Sequence, residues 1–237
     1  MRNAGTIRMD NGDGSYTLTS SVFINDGGTL QAGGGALVIS SADSRYLGLT
    51  TFNGSQVYLS GGAHQFMDGA SIEALSGGSA RLYSGSFSFG NVTANGLIRY
   101  EGGSVSVSTG KLLVLNGGFD WLSGGSILNG GEVTLQAGNM YLPGDRTFDG
   151  GAFHWSGGSF SGPGQILVAN GATFDAQGSG ARIIDGQSVS YANLDVTSGS
   201  IEYRSGSLSI STLTISAGAS FILRSSGGYS GLSLGSF

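Results

Sequence analysis

The residues best suited to acid–base chemistry are aspartates in the second half of the chain. Asp149 and Asp185 each end an apolar segment and precede glycine, and Asp175 lies between them in sequence. If such carboxylates stacked in one outward column, two could act as general acid and base on a glycan, which requires a separation of roughly 5 to 9.5 Å. Aspartate before glycine is also ordinary turn chemistry, because the carboxylate bonds to nearby backbone amides. We favour turns, and we keep Asp149, Asp175 and Asp185 as the catalytic candidates of an alternative, enzymatic interpretation.

Metal ligation has one candidate segment, Asp10-Asn-Gly-Asp-Gly14, in which Asp10 and Asp13 could offer oxygens to calcium. The spacing of an EF-hand loop fails, because Gly12 and Gly14 stand at the third and fifth positions, where ligands are needed. His64 and His154 fall in separate repeats, and the chain contains no cysteine. We therefore expect no cofactor, and a turn rather than a metal site around Asp10 and Asp13.

Sugar binding would use exposed rings that stack on pyranose faces, together with hydroxyl and amide groups. The candidates are Tyr203, Tyr229 and His154. His154 lies between Phe153 and Trp155, and successive side chains of a strand point to opposite faces. If Phe153 and Trp155 face the core, His154 faces outward.

Composition excludes several classes of partner. Charged residues make up only 11% of the chain, the net charge is −5, and Lys111 is the single lysine. Nucleic-acid binding needs clustered Lys and Arg for counterion release, and no such cluster exists, so we expect no nucleic-acid partner. No apolar run approaches the roughly 18 residues of a membrane span, so we also expect no span.

The elements that must position these residues are short strands. Helical periodicity is absent, whereas period-two alternation recurs in Ser104–Ser108, Glu132–Gln136 and Ser207–Ser211. This alternation is typical of half-buried strands. Glycine, at 46 of 237 residues, separates the strands, usually as Gly-Gly or Ser-Gly-Gly steps.

Repeats decide how the strands assemble. The segment Phe119-Asp-Trp-Leu-Ser-Gly-Gly-Ser126 aligns with Phe153-His-Trp-Ser-Gly-Gly-Ser159, and three strands with their turns take roughly 20 residues, the size of one β-helix coil. We predict an all-β fold, a single-stranded right-handed parallel β-helix (β-solenoid) of about ten coils, with the rings of both segments in the core. It would form one domain over residues 1–237, clearest in 61–237 and less regular in 1–60. Asn-Gly steps also favour hairpins, so an antiparallel barrel or sandwich is the alternative.

The segment from Phe153 to Phe174, which reads FHWSGGSFSGPGQILVANGATF, resembles repeats of bacterial autotransporter passengers and filamentous-haemagglutinin-type surface proteins. The resemblance implies a right-handed parallel β-helix that adheres, builds matrix or acts as a stalk. No active-site motif of these families is present to carry over.

We therefore expect a structural or adhesive segment of a longer bacterial cell-surface or secreted protein, without catalysis of its own. Its partners would be polysaccharide or a host or cell surface. The alternatives are a polysaccharide lyase or hydrolase of β-helix type and a filament subunit that associates end to end.

Overall fold

The computed structural model describes residues 1–10, 14–54, 56–75, 77–123, 126–128, 130–163, 165–169, 172–176, 181–185, 187–196, 200–203, 206–223 and 232–236. Throughout these residues the regular elements are β-strands, with no helix, and every strand pair is parallel. The strands stack as a parallel β-solenoid. The predicted fold class is confirmed, and the alternative of an antiparallel barrel or sandwich is wrong for the part of the chain that the structure describes.

In chain order, the strands are β1 (Arg2–Asn3), β2 (Thr6–Met9), β3 (Ser15–Asp26), β4 (Thr29–Ala32), β5 (Ala36–Leu47), β6 (Leu49–Asn53), β7 (Val57–Phe66), β8 (Ser71–Ala74), β9 (Ala80–Phe89), β10 (Val92–Ala94), β11 (Ile98–Tyr100), β12 (Ser104–Val107), β13 (Leu112–Leu115), β14 (Phe119–Trp121), β15 (Ser126–Leu128), β16 (Glu132–Leu135), β17 (Asn139–Tyr141), β18 (Arg146–Asp149), β19 (Ala152–Trp155), β20 (Gly158–Ser161), β21 (Gln165–Ala169), β22 (Thr173–Ala176), β23 (Ala181–Asp185), β24 (Gln187–Val196), β25 (Ser200–Tyr203), β26 (Gly206–Ile215), β27 (Ser220–Leu223) and β28 (Leu232–Ser236).

Each central coil carries three short strands. β11, β12 and β13 form one coil, and β14, β15 and β16 form the next. Ile98 pairs with Phe119 and Leu113 with Val133, so each coil has the length expected of a three-stranded β-helix rung. The predicted size of the coil and its three strands are confirmed.

The first sheet passes through β1, β3, β5, β7, β9, β11, β14, β17, β20, β23, β25 and β27, and β12 also pairs with β9. The number of coils differs slightly from ten. The right-handed sense of the coil stays a prediction. β9 is one long strand that pairs with two strands of the next coil, with β11 through Ala80–Leu82 and with β12 through Ser86–Phe89. The next coil has two strands there because the Gly102-Gly103 step separates β11 from β12.

Apolar residues at alternate positions fill the interior. Phe119, Trp121, Phe153 and Trp155 are all buried, which confirms the prediction that both aromatic pairs belong to the core. Rings also stack from coil to coil, and Phe66 lies in the middle of such a stack, 4.5 Å from Tyr46 and 4.8 Å from Phe89 between ring centroids. Stacked pairs of this kind contribute about 0.5–1.5 kcal/mol beyond the area they bury.

Glycines stack at the corners between strands. Gly103 has φ +88°, and a Cβ built on it would overlap the carbonyl oxygen of Gly85 one coil below. Gly138 has φ +86° and meets the carbonyl oxygen of Gly117 in the same way. Both the positive φ and the close backbone approach require glycine, which accounts for the regular glycine spacing of the sequence.

Candidate functional site

The predicted aspartates lie on different strands. The second sheet contains the remaining strands, β2, β4, β6, β8, β10, β13, β15, β16, β18, β19, β21, β22, β24, β26 and β28. Asp149 ends β18 of this sheet and is half-buried, whereas Asp185 ends β23 of the first sheet, opposite Ser161. Asp175 lies in β22, in register with His154 and Asp195. The structure therefore does not bring Asp149, Asp175 and Asp185 into the one outward column that paired acid–base chemistry would use.

Arg146, the nearest arginine to Asp149 in sequence, is turned into the protein. Its Nε and Nη2 donate hydrogen bonds to the backbone oxygen of Trp121 at 3.0 and 2.8 Å, and its Nη1 donates to the backbone oxygen of Asp145. Burial lowers the pKa of Arg146. This guanidinium fastens the backbone of two coils and is not presented to a ligand.

The predicted binding and metal residues lie at separate places in the fold. His154 faces outward as predicted, with 22% of its side chain exposed and Nε2 3.7 Å from Glu132 Oε2. The backbone of Tyr203 pairs with Ile184 and Leu223 in the first sheet. The side chain of Tyr203 lies outside the described part of the structure, and so do the whole residues Tyr229 and Asp13.

Asp10 is exposed and forms an ion pair with Arg8. Among the described residues, no group of three or more His, Cys, Asp or Glu could hold a metal ion.

Strand pairing brings together a set of residues that the sequence patterns did not single out. Tyr58, Arg81, Arg99, Asp120 and Tyr141 occupy the same register position in β7, β9, β11, β14 and β17. They face outward because the neighbouring positions, such as Leu59, Leu82 and Tyr100, are buried.

A second column lies two residues further along the chain than Arg81, Arg99 and Asp120. It contains Tyr83, Glu101 and Leu122, each one residue beyond a buried member of the paired column Leu82, Tyr100 and Trp121. We call the two columns together the tyrosine–arginine face.

Contacts between the coils hold the polar side chains of this face. The Arg81 guanidinium lies 4.3 Å from the centroid of the Tyr58 ring, a cation–π arrangement. Arg81 also pairs with Glu101, with Nη2 2.6 Å from Oε1. Arg99 donates from Nε to Asp120 Oδ2 at 2.9 Å.

Three apolar side chains on the same face are exposed to solvent. Tyr83 is 53% exposed, and Leu122 and Tyr141 are each 36% exposed. The Tyr83 ring stands at 87° to that of Tyr58, with centroids 5.7 Å apart, so Tyr58 supports one edge of Tyr83. Exposed tyrosine rings beside polar groups that are held in place can contact a ligand that has both apolar and polar faces.

The sequence contains a signal for this face, which is the spacing of its outward residues. Tyr58, Arg81, Arg99, Asp120 and Tyr141 follow one another at intervals close to the length of one coil. The spacing acquires meaning only when the register is known, because a shift of one residue would turn these side chains into the core.

A second polar cluster is buried. The hydroxyl of Tyr46 lies 3.0 Å from Nδ1 of His64, and Nε2 of His64 lies 2.8 Å from the backbone oxygen of Gly61. Since Nε2 must carry a proton to bond with a carbonyl, Nδ1 accepts from Tyr46. Burial lowers the pKa of His64 and raises the pKa of Tyr46. With both side chains fully buried, the pair has no access to a ligand.

A shallow pocket of about 230 Å³ lies at the corner near Asp68 and Lys111. Lys111 Nζ bonds to Asp68 Oδ2, and the backbone N–H of Asn91 donates to Asp68 Oδ1 at 2.9 Å. The hydrogen bond from Lys111, and next that from Asn91, hold the pKa of Asp68 below its usual value. The charged groups of Lys111 and Asp68 therefore bond to each other, and Asp68 also bonds to the backbone.

No family model, curated protein or solved structure matches this chain. The parallel solenoid that the resemblance to autotransporter passengers and filamentous-haemagglutinin-type proteins implied is present. Membership in those families stays a prediction. No helix among the described residues is long and apolar enough to cross a membrane.

Proposed function

We propose that this chain is a structural and adhesive β-solenoid segment of a bacterial cell-surface or secreted protein, and that it binds polysaccharide through the tyrosine–arginine face. The observation that carries the proposal is the exposure of Tyr83, Leu122 and Tyr141 on one face whose charged groups are fixed by ion pairs. Exposed tyrosines can stack on the apolar faces of sugar rings, while neighbouring polar groups bond to the hydroxyls.

The scaffold supports this role because each coil is bonded to its neighbours by a continuous parallel ladder. Columns of side chains are therefore held at a spacing of about 4.8 Å per coil. A surface built in this way is preorganised, so little conformational entropy is lost when a long ligand lies along it.

The test is retention of the purified chain on a panel of insoluble polysaccharides. We expect the double variant Tyr83→Ala with Tyr141→Ala to lose at least about tenfold in affinity, as truncation of central aromatic residues commonly does. Tyr16→Ala is the matched control, because Tyr16 is 70% exposed and lies in β3, outside the face. Equal retention of the double variant and the unaltered chain would contradict the proposal.

The same incubation separates the alternative proposals. Release of soluble sugar that depends on Asp149, Asp175 or Asp185 would favour a polysaccharide lyase or hydrolase. Fibres that form at high protein concentration without polysaccharide, seen by electron microscopy, would favour end-to-end assembly into a filament.

A further inference from the structure

The charges on the tyrosine–arginine face are already paired within the protein. Arg81 bonds to Glu101 and lies over the ring of Tyr58, and Arg99 bonds to Asp120. A ligand carboxylate or sulfate would have to displace an acidic partner from an arginine before it could bind there. The net charge of the chain, −5, adds repulsion toward a polyanion.

The exposed apolar side chains are spread along the solenoid axis. Tyr83 lies in β9, Leu122 follows β14, and Tyr141 lies in β17, so Tyr83 and Tyr141 are three coils apart in the first sheet. At about 4.8 Å per coil this is a separation of about 14 Å along the axis. One pyranose of an extended, equatorially linked glycan advances by nearly one coil spacing, and such linkages leave the apolar ring faces accessible.

We infer that the ligand of this face is a neutral, extended, β-linked polysaccharide that lies along the solenoid axis with about one sugar per coil. The inference rests on the proposed polysaccharide binding and adds the charge, the shape and the direction of the ligand. Tyr83 and Tyr141 hold the two ends of the contact, and Leu122 lies between them.

The experiment is calorimetric titration of the whole chain with two series of β-1,4-linked oligosaccharides, from dimer to hexamer. The neutral probes are oligomers of glucose and of N-acetylglucosamine, and the acidic probes are oligomers of glucuronate of the same lengths. Tyr83→Ala removes one end of the contact, and Tyr83→Phe keeps the ring as a matched control for folding and stacking.

We expect neutral oligomers to gain about tenfold in affinity between the dimer and the tetramer, since only the longer chain reaches both tyrosines. Tyr83→Ala should abolish this gain, Tyr83→Phe should retain it, and added salt should change it little, because no ion pair forms with the ligand.

Two outcomes would overturn the inference. Acidic oligomers that bind while neutral ones do not, with the loss of binding in Tyr83→Ala, would reject a neutral ligand but leave polysaccharide binding at this face intact. Absence of binding to every oligomer, together with no retention on any insoluble polysaccharide, would reject both the inference and the proposed function.

Discussion

At the scale of single residues, His64 is a buried ionisable side chain with both ring nitrogens in hydrogen bonds. Its Nε2 proton is used by the carbonyl of Gly61, and its Nδ1 lone pair is used by Tyr46. The ring also stacks on that of Phe87, with centroids 5.1 Å apart. A second proton, on Nδ1, would put a positive charge inside the core. It would also point at the hydroxyl proton that Tyr46 donates to Nδ1.

This arrangement predicts a loss of stability in mild acid. Burial lowers the pKa of His64 in the folded state from its ordinary value of 6.5, so the unfolded chain binds the proton first. The full stability is therefore present above about pH 6.5, and it declines as the pH falls from there toward the lower pKa of the folded state.

Urea unfolding midpoints measured from neutral pH down to about pH 5 test this prediction. His64→Phe, which keeps a ring in the column of Phe87, should lose the decline even though its midpoint at neutral pH is itself lower. A decline of equal slope in both proteins would assign the acid sensitivity to other groups.

At the scale of elements, the corners between strands set the limits on sequence. Gly103 has a positive φ and no space for a Cβ above the carbonyl oxygen of Gly85, whereas Gly5 has open space around it. Corners of this type therefore have no room for a side chain. A glycine away from the stacked positions, such as Gly5, can be replaced by a residue with a side chain.

Gly103→Ala should lower the free energy of unfolding by at least about 3 kcal/mol, which combines the backbone strain with the displacement of the neighbouring coil. Gly5→Ala is the matched control and should change it by no more than about 0.5 kcal/mol. Chemical denaturation of the two variants measures both values. A Gly103→Ala protein as stable as Gly5→Ala would show that the corners can open without cost.

Strand type and core were predictable because alternation needs only local sequence. Phe119 and Trp121 share a strand face whatever the fold, and both are buried. The longer alignment of Phe119–Ser126 with Phe153–Ser159 was less informative, because Phe119 belongs to β14 of the first sheet and Phe153 to β19 of the second. Local similarity there reflects the same strand-and-corner chemistry on two different faces of the coil.

At the scale of the whole molecule, function depends on register over several coils. Tyr58, Arg81, Arg99, Asp120 and Tyr141 are inconspicuous in sequence, where each is flanked on both sides by apolar or aromatic residues. Parallel pairing aligns them, and only then do their charges pair and their rings share a surface. The candidate site could not be read from motifs because the coils differ in length, which hides the column.

The polysaccharide-binding face that we propose is one that several coils build jointly. Hydroxyl-radical footprinting of the tyrosines, with and without a retained polysaccharide, tests this claim most directly. We predict that the polysaccharide suppresses oxidation of Tyr83 and Tyr141 and leaves Tyr16 unchanged. Unchanged oxidation of Tyr83 and Tyr141, with protection of Tyr16 or of residues on another face, would contradict it.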